Sequence, residues 1–468
     1  MNSYEIQELL KQQKHFFKRQ QTKSYEYRYQ QLETLEQAIK QYESKILEAL
    51  KIDLGKSNTE AYLTEIGFTL SSIRYVKKHL KSWMKRERVK SPVHLFRSDS
   101  YIIREPYGVV YIIGPFNYPF QLLIEPLIGA MCAGNTAILK PSELTPTVST
   151  VIRQMIDEFF EKDYIAVIEG DRKVNQMLLE QHFDYIFFTG STRVAKIVMD
   201  KASQHLTPVT LELGGQSPAI VTSSTDIRHA CRQIAYGKFT NAGQTCVAPN
   251  HCYVERTVYQ QFVDEMKQTL EQFYTKEPHQ SRDYGRLVNV DHTNRLAALL
   301  KGSDGEIIHG GEISIDERFI SPTMVRIEEN DLLMSEELFG PILPIMVYDE
   351  VGEVVNSIQS MDPPLALYVF TEDVALKDEL FHTIRFGGGM HNGTLLHLSN
   401  IELPFGGIGS SGMGNYHGKY SFETFSHQKS IVELKQNTML KMMYPPYRFV
   451  KRKVLKKFIS VSYTHLTL

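Results

Sequence analysis

The sequence predicts an α/β protein of more than one domain, in which a doubly covered parallel sheet adjoins a second α/β region and a small β element. Three observations carry this. The chain has 468 residues, more than a single hydrophobic core supports. Between residues 107 and 190, short apolar runs alternate with stretches of helical length, the pattern of successive βαβ units. After residue 400 a glycine-dense segment, Pro404 to Gly414, returns the chain to a strand-like stretch from Ser421 to Val432.

Residues 1 to about 88 read as helical: Leu32, Leu35, Ile39, Tyr42, Ile46 and Leu50 recur at threes and fours on one face. Gly55-Lys56-Ser57 resembles the end of a phosphate-binding loop, but the motif's first glycine would fall on Leu50, so it reads as a helix stop. Gly108 to Gly114 is apolar and β-branched and ends in Gly-Pro, as in a strand buried on both faces. A helix from Gln121 to Cys132, a strand at Thr136–Lys140, a helix from Thr147 to Phe160, and strands at Ile165–Ile168 and Tyr185–Phe188 follow. Ligands on such sheets bind beyond the carboxyl ends of the strands, here Gly114–Asn117, Lys140–Glu143 and Thr189–Ser191. From Gly214 to Ser399 the alternation resumes, with a helix at Tyr259–Phe273 and a strand at Leu367–Thr371. The tail from Lys441 is basic with interleaved apolar residues, Phe449 to Ile459 most clearly. A membrane-surface helix has this composition, but chain ends are commonly poorly ordered, and that is the preferred reading.

Composition narrows the function. A net charge of −2 offers no basic excess for nucleic acid. Four cysteines, Cys132, Cys231, Cys246 and Cys252, do not make a disulfide framework in so long a chain and imply a reducing compartment. No stretch has the roughly 18 apolar residues of a membrane span, and Met1 to Lys40 lacks the continuous apolar core of a signal peptide. The expectation is a cytoplasmic protein. No HExxH, CxxC or clustered His/Asp pattern suggests a metal.

Cys246 lies in Asn241-Ala-Gly-Gln-Thr-Cys-Val-Ala-Pro249, among small and polar residues that leave a thiol approachable. Glu212 lies in Leu211-Glu-Leu-Gly-Gly215, where apolar neighbours desolvate a carboxylate and raise its pKa toward that of a usable base. Together they suggest covalent catalysis, sulfur forming an acyl intermediate and the glutamate activating the water that removes it.

These segments resemble the aldehyde dehydrogenase superfamily, and within it the class 3 branch for fatty and aromatic aldehydes. Gly114-Pro-Phe-Asn-Tyr-Pro119 is similar to the family's asparagine loop, Leu211–Gly215 to its glutamate motif, Gly243–Asn250 to its cysteine motif, and Glu336-Glu-Leu-Phe-Gly-Pro341 to its cofactor-closing segment. Asn415–Phe422, the short N-terminus and Tyr444-Pro-Pro-Tyr447 resemble class 3. The resemblance implies residues 1–88 and 105–212 as helical part and body of a Rossmann-like NAD-binding domain, and 213–400 as the catalytic domain. It implies 89–104 with 401–435 as an oligomerisation element pairing Ser98–Arg104 with the stretch after Ser421, and 436–468 as a basic tail.

The resemblance further implies Cys246 as nucleophile, Glu212 as hydrolytic base, and the Asn117 amide with the Cys246 N–H as donors to an oxyanion. Lys140 and Glu143 would hold the adenosine ribose; a carboxylate there favours NAD, with NADP allowed. Gly190 and Ser191 would lie by the pyrophosphate at a helix start, although Ala195 stands where a glycine is frequent, and no GxGxxG is present. Glu337 would orient the nicotinamide ribose, with Phe339 beside it, and Tyr118 and Tyr236 would line an aromatic substrate pocket. The implied function is NAD(P)-dependent oxidation of medium- or long-chain aliphatic or aromatic aldehydes by a homodimer. An acylating relative using phosphate or coenzyme A and a cysteine hydrolase are the alternatives; Glu212 argues against the first, while for the second no histidine stands just before Cys246 but sixteen histidines elsewhere allow a distant partner.

Overall fold

A computed structural model of the chain describes residues 2–95, 97–435, 443–446, 449 and 456. The basic tail from 436, and with it the reading of a membrane-surface helix, lies otherwise outside the described residues.

A six-stranded sheet runs in the order Gly412–Met413, Val209–Glu212, Tyr185–Thr189, Val109–Ile113, Thr136–Lys140, Ile165–Val167. All neighbours are parallel except Gly412–Met413, which pairs antiparallel with the glutamate strand. Of the parallel strands, Val109–Ile113, Thr136–Lys140, Ile165–Val167 and Tyr185–Thr189 are buried along their full length, as apolar runs without alternation require. The chain builds outward from Val109–Ile113 to Ile165–Val167, then crosses back to Tyr185–Thr189 on the other side. The order therefore reverses between Val109–Ile113 and Tyr185–Thr189, where a crevice opens past the carboxyl ends.

The predicted N-terminal helix is Tyr25–Leu54. Ser24 caps it by accepting the Tyr27 N–H at 3.2 Å, and Gly55 ends it at φ 66°, a left-handed stop that glycine adopts without a Cβ penalty. Its buried face is the one read from spacing: Leu32, Leu35, Ile39, Tyr42, Ile46 and Leu50 are in the core. A four-residue helix, Asn58–Ala61, leads into a π-helical turn, Tyr62–Ile66, and then into Gly67–Trp83.

The second sheet has seven strands in the order Glu306–His309, Thr323–Arg326, Ile342–Tyr348, His251–Glu255, Pro218–Val221, Ala366–Phe370, Gly388–His391. Only its first pair is antiparallel. A third, antiparallel sheet joins Glu87–Val89, Asp99–Pro106 and Ser426–Glu433, with Ser426 opposite Pro106 and Glu433 opposite Asp99.

One expectation is corrected. The stretch from Ser421 to Val432 is not one strand: Gly418–Thr424 is helical and the strand begins at Ser426. Tertiary packing decides this, because Phe422 turns inward against Trp83 with ring centroids 5.8 Å apart, and the Ser421 hydroxyl accepts the His417 N–H at 2.9 Å.

Candidate active site

At the crevice lies a cavity of about 650 Å³, within the size range of small-molecule and cofactor sites. It is lined from the first sheet by Gly114–Asn117, Ser142–Leu144, Phe188–Ser191 and Glu212–Gly214, and from elsewhere by Cys246, Glu337 and Phe339. Segments from Ile113 to Phe339, half the chain, converge on it.

Cys246 follows the helix Ile227–Phe239 through a short turn, Thr240–Gly243. Asn241, Ala242 and Gly243 all have positive φ (54°, 51° and 76°), strain of the kind that concentrates at functional sites. Gly243 has a further reason to lack a side chain: a Cβ there would collide with the Gly340 carbonyl oxygen. The cysteine turn and the Glu336–Pro341 segment thus touch backbone to backbone. Burial pushes the Cys246 thiol up to about 12, with the charges of Glu337 and Glu212 adding to it and the N–H groups of Cys246 and Val247 opposing.

Glu212 ends the strand Val209–Glu212. Both carboxyl oxygens are buried without a hydrogen-bond partner among the described residues, and this desolvation holds the group well above the ordinary carboxylate range. Asn117 is 2% exposed. Its side-chain amide donates to the Gln244 carbonyl at 2.9 Å, using one of its two N–H groups. Glu337 is raised to about 7 by burial, held down by the Gly215 N–H and by the charges of Lys238 and Arg295. Phe339 sits at φ 49° and meets Phe116 edge-on at 5.7 Å; its carbonyl accepts from His292 at 2.9 Å.

On the far side of the cavity, the Lys140 ammonium donates to Glu143 at 3.1 Å and to the Pro141 carbonyl at 2.8 Å. Lys140 is buried, and Glu143 lines the cavity. Ser191 precedes the twelve-residue helix Thr192–Ser203 without capping it through its side chain. Ser191, Arg193 and Val194 all line the cavity, so this helix N-terminus borders it. Ala195 lies inside the first turn, its N–H bonded to the Ser191 carbonyl. The site fits a dinucleotide: it has a helix N-terminus for phosphate, a carboxylate for ribose hydroxyls, and a Thr189 hydroxyl that is buried with no partner among the described residues.

The structure therefore brings Cys246, Glu212, Asn117, Glu143, Gly190, Ser191, Glu337 and Phe339 to one cavity. Lys140, Tyr118 and Tyr236 stand outside its lining. Tyr118 is buried, its hydroxyl 2.7 Å from that of Thr245, and Tyr236 is 37% exposed on the helix before the cysteine turn. Sequence reading missed Arg172 and Lys201, which line the cavity with Arg193. Arg193 and Lys201 lie a helical spacing apart on Thr192–Ser203, a signal that is visible only once that helix is known to border the site.

The family model for aldehyde dehydrogenases matches residues 1–431. This chain belongs to the aldehyde dehydrogenase family. It is 50% identical over 448 residues to 4,4'-diaponeurosporen-aldehyde dehydrogenase of Staphylococcus aureus, covering 96% of this chain and 97% of that protein. Mouse aldehyde dehydrogenase family 3 member A2 is 42% identical, covering 90% of this chain and 87% of its own length. The canine enzyme described as dimeric and NADP-preferring is 39% identical over 94% of this chain and 98% of its own. Among solved structures, a substrate-bound Staphylococcus aureus AldH superposes with a TM-score of 0.94 at 49% identity, over 97% of this chain and 99% of that one. This aldehyde dehydrogenase is thus an NAD(P)-dependent oxidoreductase that converts aldehydes to acids.

Proposed function

We propose that Cys246 attacks the aldehyde, that Asn117 and the Cys246 N–H hold the resulting oxyanion, and that Glu212 activates the water that hydrolyses the thioester. The observation that carries this reading is that all three residues open onto the cavity that also fits the dinucleotide. What a nicotinamide supplies when bound there is an acceptor for the hydride that leaves the thiohemiacetal.

The chain's own part begins with the thiol. Its proton has to leave to solvent in the cavity before attack, and the acids that face it, Glu337 and Glu212, oppose a thiolate when they are charged. Burial favours their neutral forms, so the same desolvation that weakens the acids removes the repulsion. Asn117 has one N–H fixed on Gln244 and the other left for the oxyanion; a well-placed donor contributes about 3 kcal/mol. Glu212 acts as base only as its carboxyl ionises, and hydrolysis is therefore faster at higher pH.

We place the substrate among medium- and long-chain aliphatic or aromatic aldehydes. Tyr416 is buried within reach of the charges of Glu212 and Cys246, and the Tyr368 hydroxyl donates to the Val247 carbonyl at 2.6 Å, which brings two aromatic residues into the neighbourhood of the nucleophile. The relative named for a diaponeurosporen aldehyde agrees with an apolar substrate. Glu143 supports NAD, while Arg172, Arg193 and Lys201 supply positive charge for a 2′-phosphate, so NADP is accepted as well. A homodimer is supported by the edge strand Ser426–Glu433, which presents an exposed Val432.

The test is NADH formation at 340 nm with hexanal and NAD, for wild type beside Cys246→Ala and Glu212→Gln. Turnover without phosphate or coenzyme A, lost in Cys246→Ala and stalled at the acyl-enzyme in Glu212→Gln, is the expected result. Full activity of Cys246→Ala would overturn the assignment.

A further inference from the structure

Behind the asparagine loop lies an ion pair that the chemistry above does not use. Lys56 and Glu65 are both fully buried, with Nζ 2.6 Å from Oε1. Two charges so enclosed are costly to desolvate and need further hydrogen bonds to be accommodated. All of the further bonds made by their charged groups go to the segment that carries Asn117. The Lys56 ammonium donates to the Asn117 carbonyl at 2.9 Å and stands 4.0 Å over the Tyr118 ring. The second carboxylate oxygen of Glu65 accepts the Phe120 and Gln121 N–H groups at 2.9 and 3.2 Å, at the start of the helix Gln121–Ala133. Glu65 is brought to this position by the π-helical turn Tyr62–Ile66, a rare widening of the helix that recurs at functional sites. Asn241, from the cysteine turn, adds a side-chain N–H to the same Asn117 carbonyl at 2.8 Å.

We propose that Lys56 and Glu65 are positioning residues for oxyanion stabilisation, acting as a charged clamp on the backbone of Asn117–Gln121. The direction of the Asn117 amide is set by its backbone as well as by its single bond to the Gln244 carbonyl, so holding that backbone fixes where the free N–H points. The clamp grips that backbone at two points just C-terminal to the asparagine's Cα, at its own carbonyl and again at Phe120 and Gln121. A pair serving the fold alone has no need to direct all its bonds to one short stretch. Losing Lys56 leaves the carboxylate gripping Phe120 and Gln121 but frees the Asn117 carbonyl, and losing the Glu65 charge frees the other end.

This rests on the roles proposed for Cys246 and Asn117, and its test separates the two. Lys56→Met and Glu65→Gln are compared with wild type and Cys246→Ala by steady-state oxidation of hexanal and by the rate of Cys246 alkylation with iodoacetamide. Alkylation forms no oxyanion, so it reports access and ionisation of the thiol but not the asparagine. The expected result is a kcat reduced about tenfold or more in each variant, with KM for NAD and the alkylation rate within about threefold of wild type. Lys56→Arg, which keeps the charge, recovers part of the loss. If kcat is unchanged in a folded variant, or if alkylation falls as far as kcat, the pair is structural and the proposal is overturned. If Lys56→Met does not fold, Glu65→Gln decides by the same two readouts. Should Cys246→Ala turn over like wild type, the reading of the site fails first; should it be inactive while both clamp variants match wild type, only the clamp fails.

Discussion

Gly412 pairs with Glu212 across an antiparallel bridge, so the last residue of a parallel strand is held from its outer side by a two-residue strand from the glycine-dense segment. That pairing leaves the Glu212 backbone fixed while both of its carboxyl oxygens remain without a partner among the described residues. A buried carboxyl with nothing to accept from is poised to change its protonation when water reaches it.

Glu212→Gln is expected to release about one equivalent of NADH rapidly and then slow by about 10²–10⁴-fold, because acylation survives and general-base hydrolysis does not. Stopped-flow absorbance at 340 nm with hexanal resolves the two phases. A linear trace at the wild-type rate would place the base elsewhere.

Asn117→Ala is expected to lower kcat by about 10²–10³-fold, the usual effect of losing one oxyanion donor. The KM for NAD should hardly move, since the role proposed for the amide is at the oxyanion. Steady-state kinetics with both substrates varied provides the measurement.

In cofactor-free protein, alkylation of Cys246 should accelerate by about tenfold per pH unit between about pH 7 and 10 without levelling off, because burial and the two facing acids hold the thiol near 12. A plateau near pH 8 would mean that the cysteine is an ordinary, solvated thiol in the resting enzyme. Mass-spectrometric rates of carbamidomethylation settle the matter.

Glu125 offers a stability test remote from catalysis. It is buried on the helix Gln121–Ala133, accepts a hydrogen bond from Ser72, and is raised to about 8 by desolvation. A raised acid stabilises the fold fully below its unfolded pKa and loses that contribution as pH climbs to the folded value. The loss here runs from about 4.5 to about 8, at up to roughly 1.4 kcal/mol per pH unit. Glu125→Gln should therefore gain in Tm relative to wild type between about pH 5 and 8.5. A difference independent of pH would show that the carboxyl ionises freely.

Much of this architecture is legible in the order of the amino acids alone. Apolar β-branched runs such as Val109–Ile113 have no polar face to offer, so a strand covered on both sides is the only place for them. Cys246, Glu212 and Asn117 stand out in the sequence through their motifs, and all three line one cavity. The helix Gly418–Thr424 is not, because Ser421 and Phe422 read locally as strand residues and only the contact with Trp83 turns them. Lys56 is obscured for another reason. It follows a glycine that ends a helix, and its partners Glu65 and Asn117 lie 9 and 61 positions away, beyond any local periodicity. The cations Arg172 and Lys201 look like ordinary surface charges until the switch in strand order places their helices around one crevice.

The edge strand beside Glu212 has a bearing on how the enzyme is made. Gly412 and Met413 are needed to finish the sheet that holds the glutamate, and Ser426–Glu433 is needed to pair Asp99–Pro106. Both come late in the chain. A ribosome synthesising this protein will have threaded out Cys246, the cofactor crevice and nearly all of both large sheets before Gly412 and Met413 emerge to pair with Glu212 and Leu211. A chain truncated near residue 400 would carry Cys246, Glu212 and Asn117 yet lack the strand that borders one of them.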